Sequence, residues 1–342
     1  MLVCVVGNFG DTESLADGQR IKTIELYRAL VKQYGEQQVT KVNLHGKSKL
    51  RLTGELLVSL MRCRNLIVLV SKNGRKTVIP LLVMMNTLFR RRIWHALIAS
   101  TTHETLEQFP RLVKIYNRLS GNWAETRTEM KLLQACGLKN VSVVKNFKNL
   151  TIPNKESLVY QTEAPFRFCT FSRIEAPKGI AEAVEAIRAV NQRFGRTVCT
   201  LDLYGQVMPA YEEEFAALQK TFCEDVRYMG VADFGKSVET LKQYYMLLFP
   251  TKYFTEGIPG TIIDALSAGV PVICSEWESC YDIMTDAVGL TYAFDDTAAL
   301  TDAIAYAVSN PACINAMKPA CLAEARNYAP ERVIEQISAC LE

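Results

Sequence analysis

The chain has 342 residues, of which 49% are hydrophobic and 22% are charged, as in an ordinary globular protein of about two domains. No run approaches the roughly 18 uninterrupted apolar residues of a membrane helix, and residues 1–6 lack the flanks of a secretory signal. The eleven cysteines are scattered without Cys-x-x-Cys pairs, which favours free thiols in a reducing cytoplasm over a metal or redox centre.

The net charge of +3 conceals a large difference between the two halves of the chain. Residues 1–160 hold 25 Lys and Arg against 11 Asp and Glu, and the remaining residues hold 14 against 25. A basic half predicts an anionic partner. No nucleic-acid-binding motif is present, so an anionic membrane surface or lipid phosphate is the candidate; a solvated basic face without a partner is the alternative.

Short apolar runs alternate with helical patterns along the whole chain, which predicts an α/β fold with parallel sheets. The predicted strands are residues 2–6, 39–44, 66–70, 93–99, 141–144, 166–171, 198–204, 226–229, 246–249 and 270–274. The predicted helices include residues 20–34, 125–135, 178–194, 210–222, 236–245, 260–268 and 331–341. A polar linker at residues 149–165 predicts two Rossmann-like domains, 1–155 and 156–342, facing each other across a cleft, and the last helix could pack on either.

The most informative segment lies between the strands predicted at 246–249 and 270–274. Glu256 precedes a Gly-Ile-Pro-Gly turn, and Asp264 lies eight residues later on the helix that the turn opens. Ligands of such sheets bind at the carboxyl ends of the strands, and a helix N-terminus offers N–H groups to a phosphate. Carboxylates beside those donors suit a ligand with both hydroxyls and phosphate, such as a nucleotide-sugar.

Two cations follow the strand predicted at 166–171. Arg173 and Lys178 are five residues apart, on the loop and the first helical turn, so both can reach one anion. A guanidinium fork and an ammonium point charge together suit a diphosphate.

These motifs resemble a known family. Ser-Arg-x4-Lys-Gly at 172–179, Leu-Asp-Leu-Tyr-Gly at 201–205, Val-Arg-Tyr-Met-Gly at 226–230 and the segment 249–272 follow in the order seen in retaining glycosyltransferases of family 4. The resemblance covers about residues 166–310. It implies the two-domain GT-B fold, with an N-terminal acceptor-binding domain and a C-terminal nucleotide-sugar-binding domain. The Pro-Gly-Thr-Ile-Ile-Asp variant at 259–264 resembles a subgroup from bacterial surface-polysaccharide gene clusters.

The resemblance also implies a role for each matching residue. Arg173 and Lys178 would neutralise the donor diphosphate, and Glu256 would accept hydrogen bonds from sugar hydroxyls. Asp264 would bind the ribose hydroxyls, although the family usually has glutamate there, so the contact would be looser or shifted. The backbone N–H groups around the turn would hold sugar and phosphate oxygens; this segment comprises Gly257, Ile258, Gly260 and Thr261.

In the first half the resemblance is carried by two short segments. Gly7-Asn-Phe-Gly10, followed by Asp17-Gly, resembles the glycine-rich loop that approaches the donor; a plain strand–helix turn is the alternative. Thr101-Thr-His103 resembles the Thr-x-His at a strand end, whose histidine points toward the transferring sugar; a structural histidine is the alternative. Lys145 stands where the family often has proline.

The resemblance implies a hexosyltransferase that moves sugar with retention to a hydroxyl of a glycan or lipid-linked acceptor, in capsule or O-antigen synthesis. No Asp-x-Asp pair and no Gly-x-Gly-x-x-Gly with a following acid is present, so neither a metal nor a nicotinamide cofactor is expected. The expected location is the cytoplasm, including the inner membrane surface. Two alternatives stay open: a nucleotide-sugar epimerase of the same fold, and a catalytically silent subunit that binds a partner enzyme.

Overall fold

The computed structural model describes residues 1–10, 18–98 and 101–342, except for the side chain of Phe234. The chain divides into two compact units. Unit 1 comprises Met1–Asn149 and Ala329–Glu342, and unit 2 comprises Leu150–Tyr328. Asp17, part of the predicted glycine-rich loop, lies outside the described residues.

Unit 1 is a doubly wound α/β unit. Its strands are β1 (Val3–Gly7), β2 (Val39–Asn43), β3 (Asn65–Val68), β4 (Arg92–Ala96), β5 (Gly121–Ala124) and β6 (Val141–Val143). Its helices before the linker are α1 (Gly18–Tyr34), α2 (Lys49–Arg62), α3 (Lys72–Phe89), α4 (Thr102–Gln108), α5 (Arg111–Tyr116) and α6 (Arg127–Ala135). In the described residues the strands form one parallel sheet in the order β2-β1-β3-β4-β5-β6.

Unit 2 repeats the scheme. Its strands are β7 (Phe166–Phe171), β8 (Cys199–Tyr204), β9 (Val226–Gly230), β10 (Met246–Phe249), β11 (Val272–Ser275) and β12 (Gly289–Tyr292). Its helices are α7 (Ile180–Phe194), α8 (Glu212–Gln219), α9 (Ser237–Leu241), α10 (Gly260–Ser267), α11 (Thr297–Ser309) and α12 (Pro311–Ala325). These strands also pair in parallel, in the order β12-β11-β10-β7-β8-β9.

The last helix, α13 (Pro330–Leu341), belongs to unit 1. Its buried face, which includes Val333 and Ile337, packs with Leu26 and Leu30 of α1 on one side of the sheet. Helices α2 and α3 contribute to the apolar core on the other side. Residues 150–155, which the sequence placed in the first domain, are part of unit 2.

Most inner strands are buried on both faces, as expected for a parallel sheet covered by helices, whereas the edge strands β2, β6 and β9 are partly exposed. β1, β3 and β10 are buried at every position. This burial explains why continuous apolar runs in the sequence predicted most strands correctly. The predicted α/β class with two Rossmann-like units is confirmed.

The strand order of unit 2 identifies where its ligand loops converge. The chain builds outward from β7 in one direction to β9, and then from β10 in the other direction to β12. The switch point therefore lies between β7 and β10, and open α/β sheets bind ligands at the carboxyl ends of such strands. The loops after these two strands contain Arg173, Lys178 and Glu256.

Candidate functional site

Two glycines let the loops after β7, β8 and β10 approach one another closely. Gly179 has φ +69°, and a Cβ there would lie 2.0 Å from the carbonyl oxygen of Pro250. Gly205 has φ +146°, and its Cβ would lie 1.7 Å from the carbonyl oxygen of Ser172. Both positions require glycine, because no side chain fits between these backbones.

Two hydrogen bonds also fasten the loops together. The backbone N–H of Lys252, after β10, donates to the carbonyl oxygen of Pro177 at 2.8 Å. The hydroxyl of Thr261, in the first turn of α10, donates to the carbonyl oxygen of Phe171 at 2.7 Å. The hydroxyl proton of Thr261 is therefore used in a structural hydrogen bond, and its backbone N–H is the donor that could serve the predicted ligand.

Lys178 and Glu256, which are 78 residues apart in sequence, meet at this point and form an ion pair. The hydroxyl of Thr251 donates to the same carboxylate oxygen, Oε1 of Glu256, at 3.2 Å. The ammonium group of Lys178 also lies 4.8 Å from the ring centroid of Tyr253, within cation–π range. The structure thus brings together two of the predicted site residues and adds Thr251 and Tyr253, which the sequence did not single out.

Arg173 borders the same cluster. Its guanidinium pairs with Glu175 at 2.9 Å and remains 40% exposed. Partial burial of Tyr253, with the nearby Glu175 carboxylate, raises the pKa of that phenol. Tyr253 thus stays neutral and can donate a hydrogen bond near neutral pH. The two cations are matched by two carboxylates, Glu175 and Glu256, so an arriving anion competes with them for Arg173 and Lys178.

The turn before α10 is fixed by contacts with the core and by a hydrogen bond. Gly257 and Ile258 are buried, and Ile258 packs into the apolar core with α10. The hydroxyl of Ser279 donates to the carbonyl oxygen of Glu256 at 2.8 Å. The helix begins at Gly260 after Pro259, and the first N–H groups of a helix lack intrahelical acceptors. A rigid turn and these N–H groups are suited to an anion.

Asp264 lies in the interior, 2% exposed. Its Oδ1 accepts a hydrogen bond from the hydroxyl of Ser237, which begins α9, at 2.9 Å. In this structure the carboxylate serves to join α9 and α10, and a ribose contact requires it to turn outward. The role of Asp264 in nucleotide binding stays a prediction.

In unit 1, the predicted glycine-rich loop is held by Asn43 at the end of β2. Its side-chain oxygen accepts from the N–H of Phe9 at 3.0 Å, and its amide donates to the carbonyl oxygen of Gly10 at 3.0 Å. Gly10 has φ +68°, which favours glycine. The N–H of Gly10 donates to the side chain of Asn8 at 2.8 Å. A donor contact by Gly10 stays a prediction.

His103 lies in the first turn of α4 and is buried. Its Nδ1 has no hydrogen-bond partner among the described residues. Buried polar atoms without partners are uncommon and call for an explanation, such as a ligand. The contact of His103 with a transferring sugar stays a prediction.

A polar cluster after β5 was missed by the sequence reasoning. Lys22 of α1 pairs with Glu125 and donates to the carbonyl oxygen of Leu97 at 2.6 Å. Glu129, 1% exposed, accepts from the N–H of Glu125 at 3.2 Å. Thr126 caps α6 through the N–H of Glu129, a pattern that the Thr-x-x-Glu sequence could have indicated.

Burial and the neighbouring Glu125 carboxylate raise the pKa of Glu129 to about 8, so Glu129 is protonated at neutral pH. The unfolded chain loses that proton near its ordinary pKa of 4.5. Between these values the folded state holds one proton more, so raising the pH destabilises unit 1 by about 1.4 kcal/mol per pH unit until pH 8.

Replacing Glu129 by Gln is expected to remove this dependence. Chemical denaturation at pH 6.5 and pH 8 should show that over this interval the native protein loses about 2 kcal/mol more stability, or gains about 2 kcal/mol less, than Glu129→Gln. The pKa of His95 is lowered to about 3 by burial, so its effect on stability lies below this interval. An equal pH dependence in the two proteins would contradict the raised pKa of Glu129.

No group of three His, Cys, Asp or Glu side chains in the described residues could hold a metal ion. No helix of that part of the chain is long and apolar enough to span a bilayer. Arg173, Lys178 and the N-terminus of α10 provide positive charge at the switch point. This arrangement can bind a diphosphate and stabilise negative charge that develops on it.

The region around this site matches a known family. Residues 165–310 match the model of glycosyl transferases group 1. The match begins just before β7 and ends within the loop after α11, so it contains Arg173, Lys178 and Glu256. No curated protein sequence matches the chain.

Solved structures resemble the chain over its whole length at low identity. HepE of Anabaena, crystallised with UDP, is 13% identical with a TM-score of 0.77, covering 100% of this chain and 99% of that one. Sucrose-phosphate synthase of Thermosynechococcus elongatus is 14% identical with a TM-score of 0.72, covering 98% and 97%. The lipopolysaccharide outer core galactosyltransferase WaaB is 12% identical with a TM-score of 0.70, covering 100% and 99%. The fold of the chain is thus the GT-B fold.

Proposed function

We propose that the protein is a retaining hexosyltransferase. It transfers a sugar from a nucleotide-diphosphate sugar to a hydroxyl of a glycan or lipid-linked acceptor. The observation that carries the proposal is the ion pair of Lys178 and Glu256 at the switch point of unit 2, inside the segment that matches the family model. The UDP in the HepE crystal supports a nucleotide-linked donor.

In the proposed reaction the bond between the anomeric carbon and the diphosphate oxygen breaks, and a bond to the acceptor oxygen forms on the same face. The acceptor proton passes to the leaving phosphate oxygen. Negative charge grows on the diphosphate as the sugar becomes oxocarbenium-like, so preorganised cations lower the barrier more than they strengthen binding. Lys178, Arg173 and the N–H groups of Gly260 and Thr261 supply that stabilisation, and no metal is needed.

Glu256 has two tasks in this proposal. In the free protein it neutralises and orients Lys178, which keeps the ammonium at the switch point. When the donor binds, the diphosphate replaces Glu256 as the partner of the Lys178 ammonium. The carboxylate of Glu256 then accepts hydrogen bonds from sugar hydroxyls. The hydroxyl of Thr251 holds the carboxylate throughout.

We propose further that the reaction belongs to surface-polysaccharide synthesis in the cytoplasm. The Pro-Gly-Thr-Ile-Ile-Asp variant of the motif and the likeness to WaaB support this assignment. His103 and Gly10 of unit 1 are proposed to contact the transferring sugar and the donor. Their support is the resemblance of their segments to the family, together with the unpartnered Nδ1 of His103.

A thermal-shift panel tests the function. UDP-, GDP-, ADP- and CMP-linked sugars are compared, and we expect one nucleotide class to raise the melting temperature, because a ligand that binds only the folded state stabilises it. No shift with any of them at millimolar concentration would favour the silent subunit. Conversion of the nucleotide-sugar into an isomer without an acceptor would favour the epimerase.

A further inference from the structure

The outer face of α2 carries an unusual apolar stripe. Leu50, Leu57 and Met61 are spaced by seven and four residues, so they lie on one side of the helix, and Val58 lies beside them. Leu50 is 85% exposed, the highest value among the exposed large hydrophobic side chains of the described residues. The opposite face of α2, with Leu56 and Leu60, fills the core. α2 is therefore apolar on two sides, although the described residues cover only one of them.

Helix α3 extends this apolar surface. Met84 and Leu88 are one turn apart and are 63% and 80% exposed. α2 and α3 pack on the same side of the sheet. Their C-terminal ends adjoin, because the guanidinium of Arg91 donates to the carbonyl oxygens of Leu60 and Met61 at 2.9 and 3.3 Å. The α2–α3 face is defined here as Leu50, Leu57, Val58, Met61, Met84 and Leu88.

The chain around the α2–α3 face is rich in basic residues, although one of them, Arg75, is buried. Between residues 47 and 92 the sequence holds eleven Lys and Arg and a single acidic residue, Glu55. Glu55 already pairs with Lys47 and Arg51. Exposed basic residues flank the apolar stripe at the C-terminal end of α2 and after α3. They include Arg62, Arg64, Arg90 and Arg92.

We propose that the α2–α3 face docks on an anionic lipid bilayer. A stripe of exposed leucine and methionine bordered by Lys and Arg is the pattern of a helix that lies in the membrane interface. The apolar side chains enter the acyl boundary, and the basic side chains reach the phosphate groups beside it. This docking does not depend on the proposed sugar transfer, and it would bring the protein to a lipid-linked acceptor.

The charge argues against a second copy of the chain as the occupant. A two-fold dimer would place this face against itself, because isologous interfaces pair the same patch on both subunits. The exposed guanidinium groups at the C-terminal ends of α2 and α3, which include Arg62, Arg64 and Arg90, would then lie near their own copies, a repulsive arrangement. An anionic lipid surface satisfies both the charge and the apolar stripe.

Vesicle sedimentation tests the docking with the full chain. The protein is mixed with vesicles of phosphatidylcholine alone, or with phosphatidylglycerol added. We expect binding only to the anionic vesicles. Salt at about 0.5 M should screen the electrostatic attraction and weaken that binding. Equal binding to both vesicle types, or binding to neither, would overturn the proposal.

Matched variants separate the two contributions. Leu50→Gln with Leu88→Gln is expected to lower the partition coefficient at least about tenfold, and so is Arg62→Gln with Arg64→Gln. The controls in unit 2 are Val231→Gln with Phe194→Gln and Arg196→Gln with Lys220→Gln, whose side chains are also exposed. Melting curves confirm that each variant is folded. Equal losses in the controls would contradict the assignment to the α2–α3 face.

Sedimentation velocity without lipid identifies a competing occupant. We expect a monomer for the native protein and for Leu50→Gln with Leu88→Gln. Self-association of the native protein that the variant abolishes would show that a second copy covers the face, which would overturn the lipid proposal.

Discussion

Replacing Lys178 by Ala is expected to reduce turnover at least about a hundredfold, because preorganised groups that stabilise a developing charge contribute about 2.7–4 kcal/mol to the barrier. The ammonium group is held at the switch point by Glu256 and Tyr253, so it is in place before the donor arrives. The loss should fall mainly on kcat, since the charge on the diphosphate is greatest in the transition state.

Steady-state kinetics with the nucleotide-sugar found by the thermal-shift panel measures this effect. Lys242→Ala is the matched control, because Lys242 is a partly exposed lysine of unit 2 that pairs with Glu239 at the end of α9. It should retain native turnover. A folded Lys178→Ala protein with near-native turnover would contradict the role assigned to this lysine.

Replacing Gly205 by Ala is expected to destabilise unit 2 by about 3 kcal/mol, the sum of the left-handed backbone cost and of overpacking. The added Cβ would lie 1.7 Å from the carbonyl oxygen of Ser172, so the end of β8 and the loop after β7 must separate. That separation moves Arg173 as well. The melting temperature of unit 2 should fall by about 6–12 °C, with a loss of activity.

Gly195→Ala is the control that measures the cost of the left-handed backbone conformation without overpacking. Gly195 ends α7 with φ +63°, and a Cβ there meets no atom within 4 Å. Its substitution should cost about 1–2 kcal/mol and leave activity unchanged. Equal destabilisation by Gly205→Ala and Gly195→Ala would show that the close approach to Ser172 does not hold the loops together.

Most of the fold could be predicted from the sequence, because buried parallel strands appear in it as short runs of apolar residues. β7 and β10 were predicted to the residue. β5 was missed, since Gly121-Asn-Trp-Ala contains no apolar run, and β12 was missed for a similar reason in Gly289-Leu-Thr-Tyr. The position of α13 in unit 1 could not be predicted, because it depends on packing between distant parts of the chain.

The sequence could predict that some candidate residues lie at one edge of the sheet, but it could not predict the contacts they make. Arg173, Lys178 and Glu256 follow strands in the sequence, which marks them as loop residues at one sheet edge. The ion pair of Lys178 with Glu256 depends on the pairing of β7 with β10, a long-range choice that no local pattern encodes. The inward direction of Asp264 depends likewise on α9, which brings Ser237 to it.

A crystal structure with a nucleoside diphosphate tests the central claim most directly. We expect the diphosphate at the N-terminus of α10, with Lys178 and Arg173 in hydrogen-bonding contact and Glu256 released from its ion pair. A diphosphate bound elsewhere, with Lys178 and Glu256 still paired to each other, would contradict it.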